Sequence, residues 1–226
     1  MTEPRHPKDM KIKVFADGAV LDGIRQMAEN PLIKGFTTNP TLMRKDGVSD
    51  YKGFALDMLK IVTDRPVSFE VFADEFDEME AQALEIASWG ANVNVKIPVT
   101  NTRGDSSAPL VGRLSGQGVM INVTAMFTLD QVRGMVEVLD PETPAILSVF
   151  AGRVADSGFD PIPHMRACVD LASARPLAQI MWASPRELLN ILHTEEAGCH
   201  IITVTHDVLK KLDNIGKDLG EFSRER

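Results

Sequence analysis

Short β-rich segments recur about every 20 to 35 residues along the chain, and each is followed by a stretch whose apolar positions have helical spacing. The segments begin near Lys11, Leu32, Val67, Ala91, Val119, Ala145, Leu177 and His200. Eight strand and helix pairs with short connections predict an α/β fold, a single-domain (β/α)8 TIM barrel, whereas a doubly wound open sheet usually shows fewer repeats. The barrel is expected over residues 11–220, with terminal tails at 1–10 and 221–226.

Two helix starts stand out. Asp74 precedes the acid-rich turn Glu75-Phe76-Asp77-Glu78, and the pattern runs on to Trp89 and Gly90 with Met79, Ala83, Ile86 and Ala87 on one face. Ser184-Pro185-Arg186-Glu187 reads as a capping box with proline at the first helical position, which predicts a helix directly after the seventh strand. The stretch from Thr100 to Ser107 reads as a polar connection after the fourth strand.

Composition then narrows the function classes. With 226 residues, 44% hydrophobic and 25% charged, the chain has enough apolar material for one continuous core. A net charge of −8, with the basic residues scattered, argues against nucleic acid as a partner. No apolar run approaches ~18 residues and the first ten residues lack a signal-like stretch, so no membrane association and a cytoplasmic location are expected. Cys168 and Cys199 have no metal-like spacing and are expected to be reduced, mostly buried thiols.

Candidate chemistry emerges from the period-two alternation of strands. In the fourth strand Val93, Val95 and Ile97 share one face, and Asn92, Asn94 and Lys96 share the other, which in a barrel points inward. Asp17 falls at the end of strand one, Glu70 late in strand three, Asn122 and Thr124 in strand five, and Ser148 in strand six. All lie toward carboxyl ends, where barrel enzymes gather catalytic groups. Taken singly, each side chain has a structural reading, since Lys96 paired with Asp17 or Glu70 fills a barrel interior without doing chemistry. Together they suit carbonyl chemistry: a desolvated lysine attacks a ketone as the neutral amine while a carboxylate shuttles protons. That mechanism needs no cofactor or metal. Metal-assisted chemistry would want several convergent ligands, yet only His206 of the five histidines lies at the carboxyl end of a strand. His6, His164, His193 and His200 read as surface or packing residues.

Over nearly its whole length the chain resembles the transaldolases, especially their small members and the related fructose-6-phosphate aldolases. The resemblance rests on the Asp17 strand, Thr37-Thr38-Asn39-Pro40, Ser68-Phe69-Glu70-Val71, Val95-Lys96-Ile97-Pro98, Asn122-Val123-Thr124 and Phe150-Ala151-Gly152-Arg153. It implies that Lys96 forms a Schiff base, that Asp17 acts as acid and base, and that Glu70 with Thr124 positions a water. It also implies substrate contacts from Thr38, Asn39, Asn122, Ser148 and Phe150, with Arg153 as a phosphate ligand and sugars or sugar phosphates as substrates. A homo-oligomer is compatible with it. Transaldolases resemble this chain in carrying glutamate at position 70 and phenylalanine at position 150, where the fructose-6-phosphate aldolases typically have glutamine and tyrosine.

The chain departs from the family after strand seven. Members usually carry Ala-Ser-Phe-Arg or Ala-Ser-Phe-Lys there, and this chain has Ala183-Ser184-Pro185-Arg186. Either Arg186 fills the basic position with Pro185 replacing phenylalanine, or that position is deleted; Arg186 then binds substrate or is a solvated surface charge. Ser184 is expected to offer backbone donors under both alignments, and Trp182 to line the altered pocket or simply to pack. Three functions therefore compete: transfer of a three-carbon ketone unit, simple aldol cleavage or dehydration through the same imine, and sugar-phosphate binding by a non-catalytic barrel.

Overall fold

Alternation along each strand sorts the side chains into an outward set that meets helices and an inward set that fills a closed barrel. The computed structural model of the protein describes residues 5–45 and 47–225. Its strands are β1 (Lys13–Asp17), β2 (Ile33–Thr37), β3 (Val67–Glu70), β4 (Val93–Pro98), β5 (Ile121–Met126), β6 (Ala145–Val149), β7 (Ala178–Trp182) and β8 (Ile201–Thr205). Each pairs in parallel with the next, and β8 closes on β1. The strands start within two residues of the positions that the hydrophobic pattern predicts. Register places catalytic candidates side by side: Asp17 beside Thr37, Glu70 beside Lys96, Lys96 beside Asn122, and Pro98 beside Thr124.

The outward residues Val67, Phe69, Val95, Ile97, Val123 and Leu147 are fully buried against helical residues such as Met58, Ala83, Leu110 and Val132. Burying one such side chain is worth about 1.5–3 kcal/mol, so this shell between sheet and helices carries most of the fold's stabilisation. Inside the barrel, Phe15, Ile146, Met181 and Ile201 form a separate apolar plug beneath the carboxyl ends. Gly35 is required here, because a Cβ on it would lie 2.5 Å from the Phe15 ring. Cys168 and Cys199 are buried and unpaired, and burial pushes both thiols up to about 12.

Two helix starts differ from expectation. The helix Phe76–Ala87 begins with Glu75 as its cap residue, because the Asp74 carboxylate is taken by Thr102, accepting from its N–H (2.8 Å) and its hydroxyl (2.7 Å). Met79, Ala83 and Ile86 nonetheless form its buried face. The Ser184 capping box does not form. Ser184 has φ of 59°, outside the extended conformation a cap residue needs, and the helix starts at Leu189. The Asn190 side chain instead accepts from the N–H groups of Arg186 (2.7 Å) and Glu187 (3.2 Å). At the amino end, Pro7 is buried and the Glu195 carboxylate accepts from the Lys11 and Ile12 N–H groups, so residues 5–12 lie against the barrel.

Gly35→Ala tests the interior plug. The added methyl is expected to cost about 1–3 kcal/mol in urea unfolding. A change below about 0.5 kcal/mol, the usual scale for a surface site, would mean that Phe15 does not hold this position.

Candidate active site

Strand ends and the loops beyond them converge on a cavity of about 410 Å³, within the range of small-molecule sites. Asp17, Thr37, Glu70, Lys96, Thr124 and Ser148 line it from β1 to β6, and Asn39, Phe150, Arg153 and Ser184 add to the wall from the segments that follow the strands. Lys96 is only 8% exposed. Its Nζ lies 3.0 Å from Glu70 Oε2 and donates to the Thr38 carbonyl at 2.9 Å. A buried ammonium without such partners would carry a desolvation cost of several kcal/mol.

Asp17 faces the same space from β1. Its Oδ1 accepts from the Thr37 hydroxyl (2.8 Å) and its Oδ2 from the Asn39 amide (3.4 Å). Since Thr37 spends its one proton on Asp17, the 2.6 Å contact between the Thr37 and Thr203 hydroxyls makes Thr203 the donor. Burial pushes the Asp17 pKa up; the Lys96 charge and the Thr37 hydrogen bond oppose this, and the Glu70 charge adds to it. A carboxyl so raised holds a proton more readily than an ordinary aspartate, which suits a group that must both take and return one.

Below the lysine runs a polar chain. Ser148 Oγ donates to Asn122 Oδ1 (2.6 Å), and Asn122 Nδ2 donates to Ser68 Oγ (3.0 Å). Asn122 therefore sits beneath the cavity rather than on its wall. Thr38 also stays off the wall, presenting its carbonyl to Lys96 while its hydroxyl donates to the Ser68 carbonyl (3.0 Å). Thr124 Oγ1 is buried and has no hydrogen-bond partner among the described residues.

The far wall depends on one close approach. A Cβ at Gly152 would lie 1.6 Å from the Ser184 carbonyl oxygen, so only glycine lets the start of the helix Ala151–Asp156 meet the loop after β7. That contact brings Arg153 and Ser184 to the same side of the cavity, with the Arg153 guanidinium 5.4 Å from the Phe150 ring centre. Arg186 is not on the wall: it forms a two-pronged ion pair with Asp156, Nε to Oδ1 at 3.1 Å and Nη2 to Oδ2. Trp182 is fully buried in the outer core and does not line the cavity.

Thr203 and Thr205 of β8 line the cavity and were not anticipated. The signal was present, since Ile201, Thr203 and Thr205 alternate inward and turn polar toward the carboxyl end. His206 packs beside Gly23, where a Cβ would lie 2.3 Å from its ring, and burial lowers its pKa. Among the described residues no group of three or more His, Cys, Asp or Glu is placed to hold a metal ion, and no helix is long and apolar enough to cross a membrane.

Fold and cavity together define a barrel enzyme whose ionisable groups converge at the carboxyl ends of its strands. The chain belongs to the transaldolase/fructose-6-phosphate aldolase family, whose model matches residues 14–225. It is 32% identical over 202 residues to a probable transaldolase of Dehalococcoides mccartyi, covering 89% of this chain and 90% of the relative. It is 33% identical over 227 residues to a probable transaldolase of Streptococcus agalactiae, covering 95% and 100%. Among solved structures, KGPDC from Streptococcus mutans matches with a TM-score of 0.59 at 8% identity, over 91% of this chain and 99% of that one, which bears on the fold alone.

Asp17→Asn separates stability from chemistry. Because the folded-state pKa is raised above 3.8, the cost of burying Asp17 is absent at low pH and grows as pH rises through the folded value. The variant is expected to melt higher than the parent at pH 7, with the gain shrinking as pH falls toward about 4. A lower melting temperature at pH 7 would show that the Thr37 and Lys96 contacts outweigh burial.

Proposed function

We propose that the protein transfers a three-carbon ketone unit between sugar phosphates or related sugars through an imine on Lys96. The observation that carries this reading is the burial of Lys96 in the cavity, 3.0 Å from Glu70, with Asp17 lining the same space. Lys96 passes a proton to Glu70, and the neutral amine attacks the ketone of the donor. Loss of water from the adduct gives an iminium that serves as an electron sink. Asp17 then takes the proton of the hydroxyl on the far side of the scissile carbon–carbon bond. That bond breaks, an aldehyde leaves, and the three-carbon unit remains as an enamine. Attack of the enamine on the acceptor aldehyde, with Asp17 returning the proton, forms the new bond, and water releases the product from Lys96.

The buried Thr124 hydroxyl, without a partner among the described residues, supports a role for Thr124 and Glu70 in holding the water that enters and leaves, because an unmet buried hydroxyl costs about 1–3 kcal/mol. Asn39 and Ser148 face the bound carbons, while Asn122 and Thr38 act from beneath by fixing Ser148 and Lys96. The Asp156 contact holds Arg186 away, so a substrate phosphate falls to Arg153 and the backbone near Ser184. Glutamate at 70 and phenylalanine at 150 favour transfer over simple release.

Borohydride added with a ketose phosphate is expected to trap a mass adduct that peptide mapping places on Lys96. Lys96→Met should lose the adduct and at least about 10³-fold in kcat, the scale seen when a covalent nucleophile is removed. Release of free three-carbon product at full rate without an acceptor would replace transfer by aldol cleavage. For the phosphate wall, Arg153→Ala should raise KM for a phosphorylated substrate about 10- to 100-fold, as expected for a lost charge-assisted bond. Arg186→Ala should change it less than about threefold, in keeping with an exposed ion pair; the reverse pattern would reassign the phosphate to Arg186.

A further inference from the structure

Tyr51, the only tyrosine of the chain, starts the helix Tyr51–Ile61 and places its hydroxyl at the carboxyl end of β3. The hydroxyl accepts from the Glu70 N–H (2.8 Å) and donates to the Glu70 carbonyl (2.9 Å). Both of these backbone groups point toward β2. In a parallel sheet, alternate residues of a strand bond to opposite neighbours. The carbonyls of Pro66 and Ser68 accept from Phe36 and Thr38 on the β2 side, while the N–H groups of Val67 and Val71 donate to Asn92 and Lys96 on the β4 side. One further step along β2 would pair the Glu70 carbonyl with the N–H of residue 40 and the Glu70 N–H with the Thr38 carbonyl. Residue 40 is proline and has no N–H, and the Thr38 carbonyl accepts from Lys96 Nζ at 2.9 Å. The Tyr51 hydroxyl, donor and acceptor at once, supplies both missing partners.

We propose that Tyr51 is a positioning residue for the reaction: it completes the β3 ladder at Glu70, sets that carboxylate against Lys96, and leaves the Thr38 carbonyl to the lysine. The inference rests on the imine reading of Lys96. Edge contacts with Phe69, Phe72 and Trp89, at ring separations of 6.3, 4.5 and 5.6 Å, fix the ring. Burial pushes the phenol well above its ordinary range, so it stays protonated and able to donate.

Tyr51→Phe keeps the ring and removes the hydroxyl. It is expected to lower kcat about 10- to 100-fold, the scale of a small misplacement of a catalytic group, with KM within about threefold. In a Glu70→Gln background the same change should cost less than about threefold, because a residue that acts through Glu70 has nothing left to position. Equal losses in both backgrounds, or a KM effect with kcat intact, would overturn the proposal. Borohydride trapping separates this failure from that of the parent reading: no adduct on Lys96 in the unmodified protein removes the imine and this role together, whereas an adduct with unchanged Tyr51→Phe kinetics removes only this role. Should Tyr51→Phe not fold, 3-fluorotyrosine incorporated throughout labels this one site and keeps the hydroxyl. Its fluorine resonance is expected to shift in Glu70→Gln and on trapping at Lys96, and an unmoved resonance overturns the proposal.

Discussion

The structure is organised around a lysine side chain that is buried from water and therefore needs polar partners. Lys96 meets this constraint with the Glu70 carboxylate and the Thr38 carbonyl. Removing one partner of a buried pair typically costs about 3–5 kcal/mol, because it strands the remaining charge. Much of the local backbone can be read as a consequence. The register that sets Glu70 beside Lys96 supplies the carboxylate. The Thr38 N–H makes the last backbone bond to β3, at the Ser68 carbonyl; the Thr38 carbonyl is left for the lysine, and Pro40 then turns the chain into the helix Pro40–Lys45. The Tyr51 hydroxyl closes the gap that this departure opens.

Above and below the lysine the interior has different tasks. The plug of Phe15, Ile146, Met181 and Ile201 fills the barrel by packing, and the Ser148–Asn122–Ser68 chain satisfies its own polar atoms on top of it. Groups facing the cavity are less well satisfied. Asp17 is held in a setting that favours its protonated form, and the Thr124 hydroxyl has no hydrogen-bond partner among the described residues. Such concessions of stability are what a site needs if its groups are to exchange protons and bind substrate.

The far wall shows how one backbone contact redistributes charge. Gly152 against the Ser184 carbonyl brings the helix carrying Arg153 to the cavity, and the same helix ends at Asp156, which holds Arg186. Two arginines that look alike in the chain thus have different surroundings. Arg153 lies over an aromatic ring at the cavity, whereas Arg186 is neutralised in a partly exposed pair.

Sequence alone determined the barrel and the inward set, because both follow from local periodicity: strands β1 to β8, and the placing of Asp17, Glu70, Lys96, Thr124 and Ser148 at one end. The inward alternation of Thr203 is equally legible in the sequence. What only the tertiary structure decided concerns contacts between segments far apart in the chain. Asp74 serves Thr102 rather than its own helix, Ser184 adopts a left-handed φ against Gly152, Arg186 turns to Asp156, and Tyr51 reaches Glu70. Each of these is a competition for a hydrogen-bonding partner. Periodicity says which way a side chain faces, but which donor meets which acceptor is settled only when the segments are brought together.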